Sequence, residues 1–558
     1  MNLLRKIWND FKTQPDVWFF YGFLTTFTLS VRKVLFFYPI NEQFNEYTGI
    51  YLYISDLFLL AIAISWLISI LCNKQSLLSI IRTANVPRGT FLLPLLLVVW
   101  SFISISWSDN QNITLFRSIK LLEYYILFLY LIIKIVPRGT ILRNTFRILI
   151  SISLIQVIVG TWQILVQHSI GLFWLKESLI SPEIAGVAKL IFNQEKIIRA
   201  YGLFPHPNIL GGFLLFSIIL TLVYRKMFHA RLASTSGRLH ESRRVEQNKT
   251  SKLDIKCSTP ASHRQAVSAS RGGWNNSHCE TYKPTENVPR PPRVDEWSSP
   301  RVEAGGTISS IIPKAIHDRA YSIILAIQIV AIILTFSKSA ILGLIIAIGY
   351  AYWTSVKTYA TKLFHVEHIG RKLIILLGIF VALIVIIQPD INSLFFKSLD
   401  ERILYLNVSR GTISQNPIFG IGSGQFVANM RNNTNQALSD WQFQPVHNVF
   451  LLIWSELGLV GLILFIWMLW KLFHVEQFEK KRVAPESSIK CSTWNNSHCE
   501  TYEPIKNVPR GTFPSIVIRL FQGLFLGLTF IMLFDHYLWD IQQGQMILWM
   551  ALAFLISI

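Results

Sequence analysis

The sequence predicts an all-α membrane protein that crosses a bilayer about twelve times. Its 558 residues are 51% hydrophobic and only 15% charged, and the mean hydropathy is +0.41. So few charges cannot coat a soluble body of this size. Apolar runs of membrane-spanning length recur along the chain. The formal net charge is +20, and its Lys and Arg collect in certain links between the runs, as in cytoplasmic loops.

The predicted spanning helices are apolar runs that can cross the hydrocarbon core at about 1.5 Å per residue. They lie near residues 17–39, 49–72, 91–107, 115–134, 144–167, 208–225, 318–336, 339–356, 372–389, 448–470, 515–534 and 541–557. The seventh and eighth are nearly continuous and are broken at Ser337-Lys338-Ser339. The polar N-terminus, Met1–Asp16, predicts no cleavable signal peptide, so the first helix directs insertion.

The distribution of basic residues predicts the orientation. The links that follow the even-numbered helices are rich in Lys and Arg, most clearly in 226–317, 357–372 and 471–513. The positive-inside rule assigns these links to the cytoplasm, an interpretation that we favour over nucleic-acid binding. The predicted outer segments are then 40–48 and 108–114, which contain no Lys or Arg, and the longer 168–207 and 390–447.

These assignments divide the chain into eight parts. The parts are a cytoplasmic N-terminus, 1–16; helices one to six over 17–225, with the outer segment 168–207; a cytoplasmic insertion, 226–317; helices seven to nine over 318–389; a long outer loop, 390–447; helix ten, 448–470; a cytoplasmic loop, 471–513; and helices eleven and twelve over 514–558.

Two of the predicted cytoplasmic segments share repeated sequence. Trp274–Tyr282 recurs as Trp494–Tyr502, and Lys256–Thr259 recurs as Lys490–Thr493. The copies are irregularly spaced, unlike the units of a solenoid. We interpret them as translated copies of a repetitive DNA element, tolerated in loops where insertions cost little. The polar composition of 230–312 predicts disorder.

The cysteines suggest neither a disulfide framework nor a metal site. The five cysteines show no convincing pairing pattern. Cys491, His498 and Cys499 are plausible metal ligands, but their spacing matches no zinc pattern.

A His-Asn pair opens the tenth predicted helix. A polar loop ends at Pro445, and His447 and Asn448 directly precede the apolar run. Histidine is the side chain best suited to move a proton near neutral pH. The alternative is an interfacial His beside an Asn that caps the helix.

Two further outer stretches carry arginine. Arg199 lies shortly before helix six, and the alternative to a functional role is a side chain that snorkels from an interfacial turn. Arg402 lies in a stretch, Glu401–Ser414, that can form an amphipathic helix on the membrane surface. Its apolar face is predicted to rest on the bilayer or on the outer helix ends, through Ile403, Leu404, Leu406 and Ile413.

A glycine-rich stretch follows this predicted surface helix. Gly420, Gly422 and Gly424 look like a phosphate loop, but no strand precedes them and no Walker lysine follows. A close-packed turn is therefore the favoured interpretation.

Together these motifs resemble the O-antigen ligase and polymerase family of bacterial membrane glycan transferases. The resemblance rests on the order and spacing of several elements: Arg-x-x-Gly-x-Phe-x-His-Pro-Asn from Arg199 to Asn208, Arg402-x-x-Tyr405, Pro-x-x-Gly-x-Gly-x-x-x-Phe from Pro417 to Phe426, His447-Asn448, Glu456-Leu457-Gly458 and Asp535–Trp539. The chain departs from the family at Tyr405, where Trp is common, and at Lys338, where Arg usually follows Ser.

The resemblance implies a reaction and a set of site residues. The donor would be a glycan on a polyprenyl diphosphate, and the acceptor a hydroxyl of a glycan, a lipid-linked sugar or a protein. His447 would be the base, and Arg199 and Arg402 would bind the diphosphate. Supporting residues would be His206, Asn208, Tyr405, Asn448, Asp535 and His536. The family needs no metal or nucleotide cofactor. The site would lie on the outer face of the cytoplasmic (inner) membrane, in contact with lipid and not with nucleic acid.

The motifs leave alternatives open. They do not separate a ligase from a polymerase of repeat units or from a protein O-oligosaccharyltransferase. A transporter of lipid-linked glycans is the rival from another class. It would favour charges within helices and repeated halves, and the sequence contains few of the former and no repeat of halves.

Overall fold

The computed structural model describes residues 2–72, 89–136, 138–192, 195–227, 314–359, 391–434, 438–480 and 515–557. Residues 1–230 and 320–558 form one compact unit, and 231–319 form a second, of which only 314–319 are described. The predicted ninth helix, 372–389, and nearly all of the repeat-bearing sequence lie outside the described residues.

Helices dominate the described residues. They are α1 (Asn2–Thr13), α2 (Pro15–Thr26), α3 (Ile54–Cys72), α4 (Gly89–Ile103), α5 (Gln111–Tyr130, continued by a π-helical turn, Leu131–Ile135), α6 (Gly139–Val166), α7 (Pro207–Met227), α8 (Lys314–Leu334), α9 (Lys338–Tyr359), α10 (Ile391–Gln415), α11 (Val449–Lys480), α12 (Ser515–Met532), α13 (Tyr537–Asp540) and α14 (Gln542–Ser557). Two antiparallel hairpins join them, β1 (Arg32–Phe37) with β2 (Gly49–Tyr53) and β3 (Lys189–Phe192) with β4 (Glu195–Ile198).

Within the described ranges, six helices are long and apolar enough to cross a membrane by length and composition. They are Ile54–Cys72, Thr90–Trp107, Gly139–Val166, Pro207–Met227, Val449–His474 and Ser515–Met532, and shorter apolar helices span Lys338–Trp353 and Gln542–Ile556. Helix α7 is almost completely buried, whereas α3 exposes more than half of Leu60 and Leu67. Exposed leucines on a spanning helix suit contact with lipid, so the fold is that of a polytopic membrane protein.

The first predicted helix, 17–39, is wrong in its second half. Helix α2 ends at Thr26, and its twelve residues are too few to cross a hydrocarbon core of about 30 Å. The following stretch forms β1 because Val34-Leu35-Phe36-Phe37 favours a strand. Arg32 fixes the hairpin through Glu46, at 2.7 Å between Nη1 and Oε1.

The predicted break between helices seven and eight is present between α8 and α9. Phe336 has a φ of +48°, which ends α8, and the Ser337 N–H donates to Thr335 Oγ1 at 3.2 Å. Gly211 of α7 faces this turn, where an added Cβ would lie 3.0 Å from Ser337 Cβ. The turn therefore packs closely against the start of α7.

Helix α10 contains the predicted amphipathic stretch, but it buries a different face. Tyr405 and Val408 are buried, whereas Ile403 and Leu406 are 50% and 44% exposed. Leu404 is only partly buried. Ile403 and Leu406 therefore do not pack on the outer helix ends, and the bilayer surface remains the predicted support of this face. The buried face follows the helical spacing of Tyr405, Val408 and Ser409.

The glycine-rich stretch forms a close-packed turn against a kink in α11, as the sequence favoured. Gly458 has a φ of +67° inside α11, and an added Cβ there would lie 2.1 Å from Ile418 O. The Leu459 N–H donates to Pro417 O at 2.9 Å. The backbone N–H of Gly422 donates to Glu456 O at 2.8 Å. The backbone groups of the turn thus form hydrogen bonds with the backbone of α11.

Contacts between the predicted outer segments gather them at one end of the helices. Asn41 Nδ2 donates to Asp440 Oδ1 at 2.7 Å, and Asn45 Nδ2 donates to Phe443 O at 3.0 Å. Asn112 Nδ2 donates to the Tyr38 hydroxyl at 2.7 Å. Segments that precede α3, α5 and α11 therefore form one continuous surface around the start of α11.

Candidate active site

His447 occupies a half-buried position directly before α11. Its ring stacks on Tyr405 of α10, with ring centroids 5.3 Å apart and planes 18° apart. His536 approaches it nearly perpendicularly, with centroids 5.0 Å apart and planes at 84°. Nδ1 of His447 is buried and has no hydrogen-bond partner in the described part of the chain. The imidazole is thus held by ring contacts, with that nitrogen unpaired.

Asn448 is the helix cap that the sequence left open as an alternative. Its Oδ1 accepts the Leu451 N–H at 3.0 Å, and its Nδ2 donates to Leu533 O at 3.1 Å. The first bond satisfies an end of α11, and the second joins that end to the segment after α12. Asn448 therefore fixes the backbone from which His447 projects.

Arg199 is oriented by a chain of polar groups. Its Nε donates to Thr335 O at 2.7 Å, and its Nη2 donates to Asn208 Oδ1 at 2.6 Å. Asn208 Nδ2 in turn donates to Asp535 Oδ2 at 2.7 Å. Burial lowers the pKa of Arg199 to about 10, which leaves the guanidinium charged at neutral pH. Asn208 thus stands between this cation and the Asp535 carboxylate.

His206 is a neutral neighbour of this chain. The Asn208 N–H donates to His206 Nδ1 at 3.2 Å, so the ring proton belongs on the other nitrogen. Burial, followed by the charges of Arg199 and His536, lowers the pKa of His206 to about 3. His206 therefore supports the turn before α7 without adding charge.

Arg402 supplies a second cation next to His447. It lies one turn before Tyr405 on α10, and it is half-buried. Its positive charge acts on the His447 imidazole. No hydrogen bond or ion pair joins its guanidinium to another side chain or backbone group in the described ranges. Arg402 is therefore available to an anion, and Arg199, whose Nε and Nη2 bind Thr335 and Asn208, has Nη1 left for one. Arg410, eight residues further along α10, is exposed.

The surroundings of His447 favour its neutral form. Burial is the largest cause of its low pKa, and the charges of His536, Arg402 and His206 add to it, while Asp535 opposes them. Together they lower the pKa of His447 to about 3. At neutral pH the imidazole is therefore unprotonated and able to accept a proton.

The surroundings of His536 favour its protonated form. It is only 6% exposed, and its Nδ1 lies 2.9 Å from both carboxylate oxygens of Asp540. Burial alone would lower its pKa, but the charge and hydrogen bond of Asp540, helped by Asp535, raise the pKa overall. Asp540 was missed in the sequence, although its spacing of four residues from His536 is the signal of a helical side-chain pair.

Arg117 of α5 and Tyr47 were also missed. Arg117 Nη1 donates to Asp540 O at 2.6 Å, and Nη2 donates to Tyr47 O at 3.2 Å. The Tyr47 ring lies edge-on to His536, with centroids 5.7 Å apart. A narrow cavity beside them is lined by Tyr47, Arg117, Glu456 and Asp540. An arginine within an apolar run was the available signal.

The structure brings all the sequence-predicted candidates into one cluster or directly beside it. They are His447, Arg199, Arg402, His206, Asn208, Tyr405, Asn448, Asp535 and His536. They come from four separate parts of the chain, so the cluster is a product of the fold. Thr335, which binds Arg199, is a further member that the sequence did not indicate.

Fold and cluster together define a polytopic helical membrane protein with histidine and arginine gathered at one end of its helices. Residues 323–466 match the family model described as O-antigen ligase. This segment is similar to the O-antigen ligase family, as the motifs of the chain suggested. The matched segment carries Arg402, Tyr405 and His447. No curated protein and no solved structure matches the chain.

Proposed function

We propose that this protein transfers a glycan from a polyprenyl diphosphate carrier to an acceptor hydroxyl during the synthesis of cell-surface polysaccharide. The observation that carries the proposal is the cluster in which an unprotonated His447 meets Arg402 and the Arg199–Asn208–Asp535 chain. The family match over 323–466 supports a glycan-ligase type of activity.

The charges of the cluster suit a diphosphate. Arg199 and Arg402 bring two positive charges, and Asp535 brings one negative charge. A guanidinium binds phosphate oxygens bidentately and stays charged. Lys338 is exposed at the start of α9, three residues beyond the Thr335 carbonyl that holds Arg199, and it adds a cation there. The excess of positive charge can stabilise the leaving group as its bond to the sugar breaks.

The proposed step moves one proton and exchanges one bond at the anomeric carbon. His447 accepts the proton of the acceptor hydroxyl while the hydroxyl oxygen bonds to the anomeric carbon. The bond from that carbon to the diphosphate oxygen breaks, and its electron pair leaves with the polyprenyl diphosphate. Arg199 and Arg402 balance the charge that develops there, and the proton on His447 then passes to solvent or to the released diphosphate.

Donor binding would also strengthen the base. A base with a pKa near 3 is weak, because acid–base catalysis works best with a pKa near the working pH. A bound diphosphate adds negative charge beside Arg402 and His447, and negative charge favours the imidazolium. The pKa of His447 would therefore rise when the donor arrives, and His447 would be a competent base only in the loaded site.

We propose that the site faces the outer side of the bacterial cytoplasmic membrane. His447 directly precedes a span-length helix, Val449–His474, so it would lie near the level of lipid headgroups. The segments free of Lys and Arg, 40–48 and 108–114, lie at the same end of the helices as His447. Lipid-linked donors could then reach the cluster sideways from the bilayer.

The buried charges within helices do not favour the transporter alternative. Lys120 of α5 binds the carboxylates of Asp56 and Glu123, the latter at 3.1 Å. Gln542 Nε2 donates to the other oxygen of Asp56 at 2.7 Å. These groups satisfy one another within the bundle, which is a structural role. A polar path across the membrane would need such groups to face a continuous cavity.

Deletion of the gene tests the proposal and identifies the substrates. The lipid-linked and surface glycans of deleted cells would be compared with those of cells complemented by the wild-type protein. We expect a lipid-linked glycan to accumulate and one surface glycan, glycolipid or glycoprotein to disappear. The missing product separates ligase, polymerase and protein glycosyltransferase. Accumulation of donor on the cytoplasmic face alone would instead support a transporter, and unchanged glycans would contradict the proposal.

A further inference from the structure

Two histidines in contact have different surroundings in the cluster. The rings of His447 and His536 have centroids 5.0 Å apart. His536 is bonded to both oxygens of Asp540, whereas Nδ1 of His447 has no partner among the described residues. A histidine bonded to a carboxylate carries a proton readily, and a second histidine beside it then resists protonation.

The His536–Asp540 pair is buried in the protein. His536 is 6% exposed, and the Asp535 carboxylate accepts its backbone N–H at 2.9 Å. Arg117 of α5 holds the Asp540 carbonyl at 2.6 Å. The pair therefore keeps its position relative to His447 because the bonds with Asp535 and Arg117 fix it.

Charged and titratable groups reach the two rings from every element packed around them. Those facing His447 are Arg402 and Tyr405 of α10, His206 before α7, and Asp535 and His536 after α12. Those facing His536 are Asp540, Asp535, Glu46 and Tyr47, with His447 itself. His536 is the first of the charged groups that disfavour a proton on His447.

We propose that the His536–Asp540 pair is a positioning unit that holds a positive charge against His447 and so keeps His447 in its proton-accepting form when the outer medium becomes acidic. This inference rests on the proposed role of His447 as the base. In this proposal His536 acts only through His447, with which its ring is in contact. Asp540 acts one step further away, by keeping the proton on His536.

The test measures the protonation of His447 separately from glycan transfer. Diethyl pyrocarbonate reacts with the neutral form of an imidazole and not with the protonated form. Mass spectrometry of the full-length protein in nanodiscs then gives the modification rate of His447 at each pH. For the wild type we expect a flat rate from about pH 8 to about pH 5 and a fall only near pH 3, since the pKa of His447 is about 3, so the series of measurements extends below that pH. The His536→Gln variant removes the neighbouring positive charge, so we expect its curve to fall at a pH higher by about half a unit or more.

The Asp540 variants keep the proposal testable if His536→Gln does not fold. Asp540→Asn preserves a hydrogen-bond acceptor but removes the negative charge, so His536 loses its proton more easily and the His447 curve moves in the same direction. Asp540→Glu retains the carboxylate and should retain the wild-type curve. The double variant with His536→Gln and Asp540→Asn should shift no further than His536→Gln alone, because Asp540 acts through the positive charge on His536, which His536→Gln already removes.

The matched control is His168→Gln, the same substitution at an exposed histidine of the segment 168–207. It should leave the His447 curve unchanged. The rate of glycan transfer should depend on pH in the same way as the labelling of His447. The acid limb of the His536→Gln profile should therefore lie at a higher pH than that of the wild type. If the variants shift the His447 labelling curve but the wild-type protein transfers no glycan, the proposed function fails and the charge effect stands. If transfer depends on His447 but the His447 labelling curve is the same with and without His536, the inference is overturned.

Discussion

Tyr405 and His447 stack face to face, with ring centroids 5.3 Å apart and planes 18° apart. This contact joins α10 to the start of α11 and brings Arg402, one helical turn before Tyr405, to the same place. Its geometry needs a flat ring at position 405, which explains how Tyr can stand where the family commonly has Trp. The stack is therefore the structural link between the base and a cation of the proposed donor site.

Replacement of Tyr405 tests this link. Tyr405→Trp preserves a flat ring and should keep transfer within about threefold of wild type, whereas Tyr405→Ala should lower it about tenfold or more, since an aromatic contact contributes about 0.5–1.5 kcal/mol beyond area burial and Arg402 would lose its support. Initial transfer rates in nanodiscs measure the effect. Ile403→Ala, on the exposed face of the same helix, is the control. Equal rates for Ala and Trp at position 405 would show that the stack is unimportant.

Arg402 should serve the donor more than the acceptor. Arg402→Ala should weaken equilibrium binding of a polyprenyl diphosphate by about tenfold or more, the scale of a lost charge-assisted hydrogen bond of about 1.5–3 kcal/mol. The acceptor KM should change little. Arg410→Ala removes the same charge from an exposed position of α10 and should bind the lipid as the wild type does. Similar losses in both variants would indicate a general charge effect and no specific contact.

Donor binding should raise the pKa of His447, and pH profiles can detect this. The acid limb of kcat/KM for the donor reports the free enzyme, and the acid limb of kcat reports the loaded enzyme. His447 is neutral in the free site down to about pH 3, and the diphosphate opposes the positive charges that keep it so. Activity should therefore be lost at a higher pH in kcat than in kcat/KM as the medium is acidified. Coincident limbs would contradict this coupling.

The kink of α11 should depend on glycine at position 458. Gly458 has a φ of +67°, and an added Cβ would lie 2.1 Å from Ile418 O. Gly458→Ala should therefore destabilise the protein by about 1–3 kcal/mol, the usual cost of such a strained backbone, which thermal unfolding in detergent would show as a lower Tm. Gly349→Ala in α9 is the matched control, because a Cβ there has nothing within 4 Å. An unchanged Tm for Gly458→Ala would mean that the turn adapts easily.

Six of the predicted spans are present in the described residues, and these spans and the residues of the cluster could be predicted because each has a local signal. Hydrophobic runs mark α3, α6 and α11, and short motifs mark Arg199, Arg402 and His447. The fold adds what these motifs do not contain, namely that Asn208 links Arg199 to Asp535. Such a bond joins residues 327 positions apart, and no local pattern records it.

Where the sequence-based prediction fails, at the first helix and at the face of α10, the cause is also a contact between residues far apart in the chain. The run after Thr26 is apolar enough for a helix, but Arg32 pairs with Glu46 across a hairpin, and that long-range pair is invisible in a hydropathy profile. The face of α10 that packs on the protein could not be predicted, because hydrophobicity marks Ile403 for the bilayer or the helix ends and does not mark Tyr405. Tyr405 is buried because His447 supplies a ring partner, which only the folded chain provides.

The central claim is that His447 is the base, and the His447→Ala variant tests it most directly. Cells that lack the gene would express wild type or variant at equal levels in the membrane, and mass spectrometry would quantify surface glycan and lipid-linked donor. Loss of an acid–base group typically costs about 10²–10⁴-fold, so we predict that the initial rate of glycan transfer falls at least about a hundredfold and that the lipid-linked donor accumulates. Near-normal transfer by a fully inserted His447→Ala protein would contradict the account.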